Sequence, residues 1–220
     1  MKKELIVKNV SNVEKEYFKV FENKVNKLDG KIKLLIASID YCIVLANKCS
    51  EVFSNEKFEK LVNEVSNYKE KYTKETIDSI FRGICSDTIN KICVFANNAP
   101  IEYVGFMLYH EIGHFLDMYN KTGVFKEFYL SSKQEFVEAY KKDLKENWND
   151  IKKDERYRLI HLVQNSTPEN PCKVAMAETF SNCFAKTMNE VDEFDFIGLY
   201  FKNTLQITEK IIQEFLSATK

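Results

Sequence analysis

Only three prolines and six glycines interrupt these 220 residues, and that scarcity of breakers constrains the fold more than any other feature. Proline and glycine are what stop helices and turn chains, so long elements with short connections are expected. Residues 12–28 place Val13, Tyr17, Phe18, Phe21, Val25 and Leu28 on one helical face, ended by Asp29-Gly30. Residues 31–37 are short and apolar enough for a buried strand. A charged, weakly periodic stretch over 55–71 reads as a surface helix. Residues 82–85 and 91–96 read as two strands around a turn at 86–90. Three further helices are predicted, amphipathic over 133–148, mostly apolar over 175–188, and closing the chain over 196–216. With no repeat, low-complexity linker or clear domain boundary, the predicted layout is a single α+β domain, helix-dominated, with a small sheet.

The predicted hairpin feeds almost directly into His110-Glu111-Ile112-Gly113-His114. Pro100 stands where a first helical residue should be, Asn97 and Asn98 are capping candidates, and Ile101, Val104, Met107, Leu108 and Ile112 recur at helical spacing. On a helix, the two imidazoles of H-E-x-x-H lie one turn apart on one face and can close on one Zn²⁺, while Glu111 points at the metal's water. The chain has only three histidines, and two of them flank this glutamate. The alternative is a helix whose histidines merely pack and hydrogen-bond. Against it, His, Glu and His together on a mostly buried stripe are costly without a compensating cation.

Such a zinc site needs a third protein ligand and an open position. The metzincin pattern would continue with a glycine and a histidine at positions that here are Asp117 and Asn120, so it is excluded. Glu178 is preferred, because one carboxylate in the otherwise apolar run 174–185 needs a partner. His161, after Leu159 and Ile160, is the rival and reads more readily as a satisfied, half-buried histidine. Glu135 and Glu138 lie among lysines and read as a solvated face.

Charge and composition narrow the partners. Hydrophobic residues make up 45% of the chain and charged residues 30%, with a formal net charge of -1, and lysines alternate with acids instead of forming a basic stripe. The electrostatic footprint of a nucleic-acid binder is missing. No signal-peptide core or membrane-length segment is evident, so a cytoplasmic species is expected on sequence alone, with export by another route left open. Six cysteines, Cys42, Cys49, Cys85, Cys93, Cys172 and Cys183, contain no C-x-x-C pair and read as free, mostly buried thiols.

At this point the chain resembles the gluzincin metalloprotease family of the anthrax lethal factor catalytic domain and the Pro-Pro endopeptidases. Residues 31–35 look like its first strand, and Gly83-Ile84-Cys85 with Ile92-Cys93-Val94-Phe95-Ala96 like its hairpin. His110-Glu111-Ile112-Gly113-His114-Phe115-Leu116-Asp117 matches its H-E-x-x-H-x-x-D, Ala177-Glu178-Thr179-Phe180 its A-E-x-F ligand helix, residues 132–143 the helix after the motif and residues 200–205 the closing helix.

The resemblance implies a zincin-like fold running from about residue 12 to the end, with N-terminal helices and a first strand in residues 1–75 and the catalytic part in residues 76–220. It implies a zinc-dependent endopeptidase with His110, His114 and Glu178 as ligands, Glu111 as general base and Asp117 orienting a ligand imidazole. Asp117 is otherwise an ordinary acid on a helix surface. An extended peptide or protein substrate would pair with a sheet edge formed by Ile92, Val94 and Ala96. Two departures stand out. The family's oxyanion tyrosine position is Pro171 here, which makes His161 or Tyr157 the substitute donors. The separation between His114 and Glu178 is also long for the family, which implies an inserted segment around residues 146–169.

Glu178-x-x-x-Asn182-x-Phe184-Ala185 also looks like the helix of cytoplasmic metallopeptidases that act on phage-type repressors. A zinc-bound but catalytically weak binding module is the third reading.

Overall fold

The computed structural model describes residues 3–66, 72–119, 129–154, 156–191 and 194–218. It is a helix-dominated α+β protein with a four-stranded mixed sheet. The chain divides into two compact units, Met1–Glu111 and Ile112–Lys220, and the division falls inside one helix.

The first unit holds strands β1 (Ile6–Asn9), β2 (Cys42–Ala46), β3 (Gly83–Ser86) and β4 (Lys91–Phe95), with helices α1 (Lys15–Asn26), α2 (Gly30–Ser38), α3 (Asn55–Ser66) and α4 (Lys74–Ile80). Sheet order is β1-β2-β4-β3. β1 and β4 both run parallel to β2, while β3 returns antiparallel to β4, pairing Ile84 with Cys93. Side chains alternate across the sheet. Val44, Ala46, Cys93 and Phe95 pack with Cys49, Val52, Phe53, Phe58 and Ile77 in one core. Ile43, Leu45, Ile92 and Val94, of opposite parity, are equally inaccessible, as expected where parallel strands are covered on both faces.

Two sequence expectations are corrected here. Residues 31–37 form α2, not a strand. The Asp29 carboxylate accepts from Lys31 N at 2.7 Å, so Asp29-Gly30 starts this helix, the one before having already ended at Asn26. Ile32, Leu35 and Ile36 are buried at helical spacing while Leu34 is exposed. The buried strand is instead β2, whose pairing with β4 also overturns the expectation that Ile92, Val94 and Ala96 form an edge. β4 is paired on both sides, Ala96 N donates to Ala46 O at 2.8 Å, and Ile92 and Val94 are wholly buried. Among the described residues, the outer strands of the sheet are β1 and β3.

The predicted hairpin and the helix over 12–28 are present as β3–β4 and α1. α3 covers the start of the predicted surface helix, whose residues 67–71 lie outside the described residues.

Helix α5 (Val104–Met118) contains the dividing point. The second unit continues with α6 (Gln134–Lys153), α7 (Tyr157–Val163), α8 (Lys173–Thr187), α9 (Phe196–Tyr200) and α10 (Lys202–Ala218). α8 is the buried centre, packed against α7 and α10. The closing helix predicted over 196–216 is broken at Phe201, which is fully buried and stacks on Tyr140 with ring centroids 5.6 Å apart. The buried Asp143 carboxylate then receives Asn203 N, Thr204 N and Thr204 Oγ1, so a side chain on α6 caps α10.

Candidate metal centre

Helix α5 begins later than its sequence suggests. A single 3₁₀ turn, Ile101–Tyr103, follows Pro100, and no side chain caps it. Asn98, expected as a cap, instead donates through Nδ2 to the carbonyls of Asp78 and Phe81 at 2.7 and 2.6 Å. From Val104 the helix is apolar nearly all round, with Val104, Leu108, Tyr109, Ile112, Phe115 and Leu116 inaccessible. Glu111 and Asp117 are buried within that apolar surround at 7% and 1% exposure, where a charge requires specific partners.

α5 is unbroken, so His110 stands one turn ahead of His114 on one face. The His110 ring lies 5.9 Å from that of Phe106, one turn earlier. His114 Nε2 faces Glu178 Oε1 of α8 at 3.5 Å, both side chains being partly accessible. Two donors placed tetrahedrally around one zinc at about 2.1 Å would stand about 3.4 Å apart. One ligand atom each from His110, His114 and Glu178 lies within 4.8 Å of the others, the only such group among the described residues. Two imidazoles and a carboxylate suit zinc's preference for nitrogen with oxygen.

The helix bearing Glu178 is held by its own polar side chains. Asn182 Nδ2 donates to the Glu178 carbonyl at 2.8 Å, and Thr179 Oγ1 donates to Ala175 O at 2.9 Å and to Leu162 O of α7 at 3.3 Å.

Glu111 lies beside the β3–β4 hairpin. Burial pushes the thiols of Cys85 and Cys93 well up, and the negative charge of Glu111 adds to the effect on each. Both sulfurs therefore stay protonated, which makes a thiolate nucleophile next to Glu111 unfavourable.

Asp117 is not a surface acid. Its two carboxylate oxygens receive Ser131 N and Ser131 Oγ, each at 2.7 Å, and its carbonyl receives Tyr129 N. Burial raises its pKa, while the two Ser131 bonds and the positive potential of His114 act the other way. The carboxylate thus fastens residues 129–131 to the end of α5. Ser131 carries no sequence signal that would have identified it, since it lies in an irregular stretch.

His161 belongs to α7 and is half-buried between inaccessible Leu159 and Leu162, with Ile160 exposed at 46%. It is not part of the group formed by His110, His114 and Glu178. Pro171 is half-buried just ahead of Cys172, which precedes the first turn of α8. The Tyr157 side chain lies outside the described residues. Glu135 pairs with Lys210 at 2.6 Å and Glu138 with Lys141 at 3.6 Å, the solvated arrangement expected of them. All six cysteines are free, with Cys49, Cys93 and Cys183 buried and the other three half-buried. Among the described residues, no helix is long and apolar enough to cross a membrane.

No protein-family model and no curated protein matches this chain.

Proposed function

We propose that the chain is a zinc-dependent endopeptidase of the gluzincin type, related to the lethal factor and Pro-Pro endopeptidase family. The observation that carries this reading is the convergence of His110, His114 and Glu178 within 4.8 Å, with the glutamate of H-E-x-x-H buried beside the hairpin. Zn²⁺ held by these three residues would supply a Lewis acid that polarises a peptide carbonyl and makes water a nucleophile at neutral pH.

The chain's own residues do the rest. Glu111 accepts the proton of the attacking water and delivers it to the departing amine nitrogen, the role for which its buried carboxylate is suited. Asp117 and Ser131 fix the end of the ligand helix after His114. The strand nearest to hand for an extended substrate is β3, an outer strand of the sheet among the described residues that lies next to Glu111.

Six free thiols fit a reducing compartment and favour a cytoplasmic setting within this proposal. The cytoplasmic repressor-cleaving reading is favoured by one further observation, the Asn182 bond that holds the Glu178 turn within E-x-x-x-N.

Turnover of fluorescein-labelled casein and of a mixed peptide library, with bound zinc measured in parallel, tests the proposal. The parent is expected to cleave and Glu111→Ala to bind zinc without cleaving. A zinc-loaded parent that cleaves nothing in either substrate would leave a binding module instead.

A further inference from the structure

The two helices that bring His114 and Glu178 together meet at a point with no space between them. A Cβ added to Gly113 would stand 2.6 Å from Ser181 Cα, 3.1 Å from Ser181 Cβ and 3.1 Å from Ser181 O. Two of these atoms are backbone, so no side-chain rotation relieves the contact. Gly113 is bonded directly to His114, and Ser181 lies one turn beyond Glu178 on α8. This tight contact of α5 with α8 is thus within one turn of the 3.5 Å pair His114 Nε2–Glu178 Oε1.

We propose that Gly113 and Ser181 are positioning residues whose small size sets the bite between the His114 and Glu178 ligands and thereby tunes the site to an ion of zinc's size. The inference rests on the metal-centre reading above. A methyl group at position 113 forces the helices apart until the 2.6 Å contact reaches ordinary separation at 3.4 Å or more. That movement exceeds several-fold the tolerance of about 0.2 Å on zinc–ligand distances. A larger cation, with longer bonds, accepts the wider bite more readily. Ser181 Oγ is buried and makes no hydrogen bond among the described residues. The hydroxyl therefore gives no reason for serine at this position, whereas its small volume does.

The test uses the full chain stripped of metal, with Zn²⁺ and Cd²⁺ affinities measured by competition against a chromophoric chelator. Gly113→Ala should bind Zn²⁺ about 10- to 100-fold more weakly, the size of effect seen when the support of a ligand is disturbed. Its Cd²⁺ affinity should fall less, so that the zinc-to-cadmium preference shifts towards cadmium. Ser181→Val should reproduce that shift from the other helix, and Ser181→Ala, which removes only the hydroxyl, should bind both ions like the parent.

If Gly113→Ala does not fold by circular dichroism, Ser181→Thr, with one added methyl group, carries the comparison. Folded variants that keep the parent's zinc affinity and ion preference overturn the proposal, as does a loss of zinc in Ser181→Ala. A parent that holds no stoichiometric zinc removes the metal-centre reading itself. That outcome is distinct from a zinc-binding parent whose variants are indifferent.

Discussion

A Cβ added to Gly83 would lie 2.7 Å from Glu111 Oε1 and 2.8 Å from Glu111 Cγ, with the carbonyl of Cys93 at 2.9 Å on its other side. The edge strand therefore leaves out one side chain at the point where the candidate base rests, and the β4 backbone prevents a new methyl group from turning away. Gly83→Ala should displace the Glu111 carboxylate while leaving the three ligands in place. A misplacement of about 1 Å can cost about 100-fold in rate, so kcat on labelled casein should fall by that order with zinc stoichiometry unchanged. Wild-type turnover in a folded Gly83→Ala protein would show that Glu111 does not need this seat.

Ligand and base fail differently. His110→Ala, His114→Ala and Glu178→Ala should each lose zinc by elemental analysis, because each removes one of three donors. Glu111→Ala should retain the metal and lose hydrolysis. His161→Ala should retain zinc, since His161 lies outside the grouped ligands; metal loss there with retention in Glu178→Ala would make His161 the third ligand.

How much of this was legible in the sequence depended on whether the signal was local. His110 and His114 announce themselves by spacing alone, and Glu178 by being one carboxylate in a run whose other members from Ala175 to Ala185 are buried. Residues 31–37 read as a strand because Asp29-Gly30 looks like a helix stop although Asp29 caps the next helix, and K-I-K-L alternates like a strand over four residues. The edge of the sheet was misplaced for a different reason. Whether β4 lies at an edge depends on β2, nearly fifty residues earlier in the chain, and no local pattern encodes that pairing. Gly83, Gly113 and Ser131 matter only through tertiary neighbours. A glycine inside an apolar helix was the one available hint, since it usually has a packing reason.

Asp154 provides an acid-sensitive clasp remote in sequence from H-E-x-x-H. The Arg156 guanidinium holds its carboxyl well below the usual carboxylate range, with help from the Tyr200 hydroxyl at 2.9 Å. Arg156 is itself stacked over Phe194 and Phe196, 4.9 and 4.5 Å from the ring centroids. A carboxyl whose folded pKa is depressed contributes stability above its unfolded value, about pH 4, and loses that contribution as the pH falls further. Asp154→Asn should therefore unfold at lower urea concentration than the parent at neutral pH, with the difference narrowing below about pH 4. A gap in urea midpoint that stays constant through that range would mean the clasp acts by packing alone.

The cap supplied by Asp143 should be among the stronger single contributions to the second unit. Its carboxylate serves Asn203 N at 3.2 Å, Asn203 Nδ2 at 2.7 Å, Thr204 N at 2.7 Å and Thr204 Oγ1 at 2.6 Å, and the residue is 1% exposed. Asp143→Ala leaves Asn203 N, Thr204 N and Thr204 Oγ1 without this acceptor, while Asn203 Nδ2 keeps the Glu146 carboxylate at 3.3 Å. Loss of a cap together with buried unsatisfied groups should cost about 2 to 3 kcal/mol in denaturant unfolding. A loss below about 0.5 kcal/mol would indicate that water reaches the start of α10.

Metal removal should itself be visible as a loss of stability. An ion that binds the folded chain and not the unfolded one stabilises it by about 2.7 kcal/mol at a hundredfold excess over its Kd. Adding Zn²⁺ to the stripped protein should therefore raise the thermal midpoint, and EDTA should reverse the rise. His114→Ala should abolish the shift, because it removes the donor that faces Glu178 at 3.5 Å, whereas Glu111→Ala should keep it.

The same shift carries a pH signature. Imidazoles and carboxylates ligate only when deprotonated, so protons compete with the ion and the zinc-induced rise should shrink as the solution is acidified. A shift that survives in His114→Ala, or that does not diminish with acid, would place the stabilising zinc somewhere other than on these three residues.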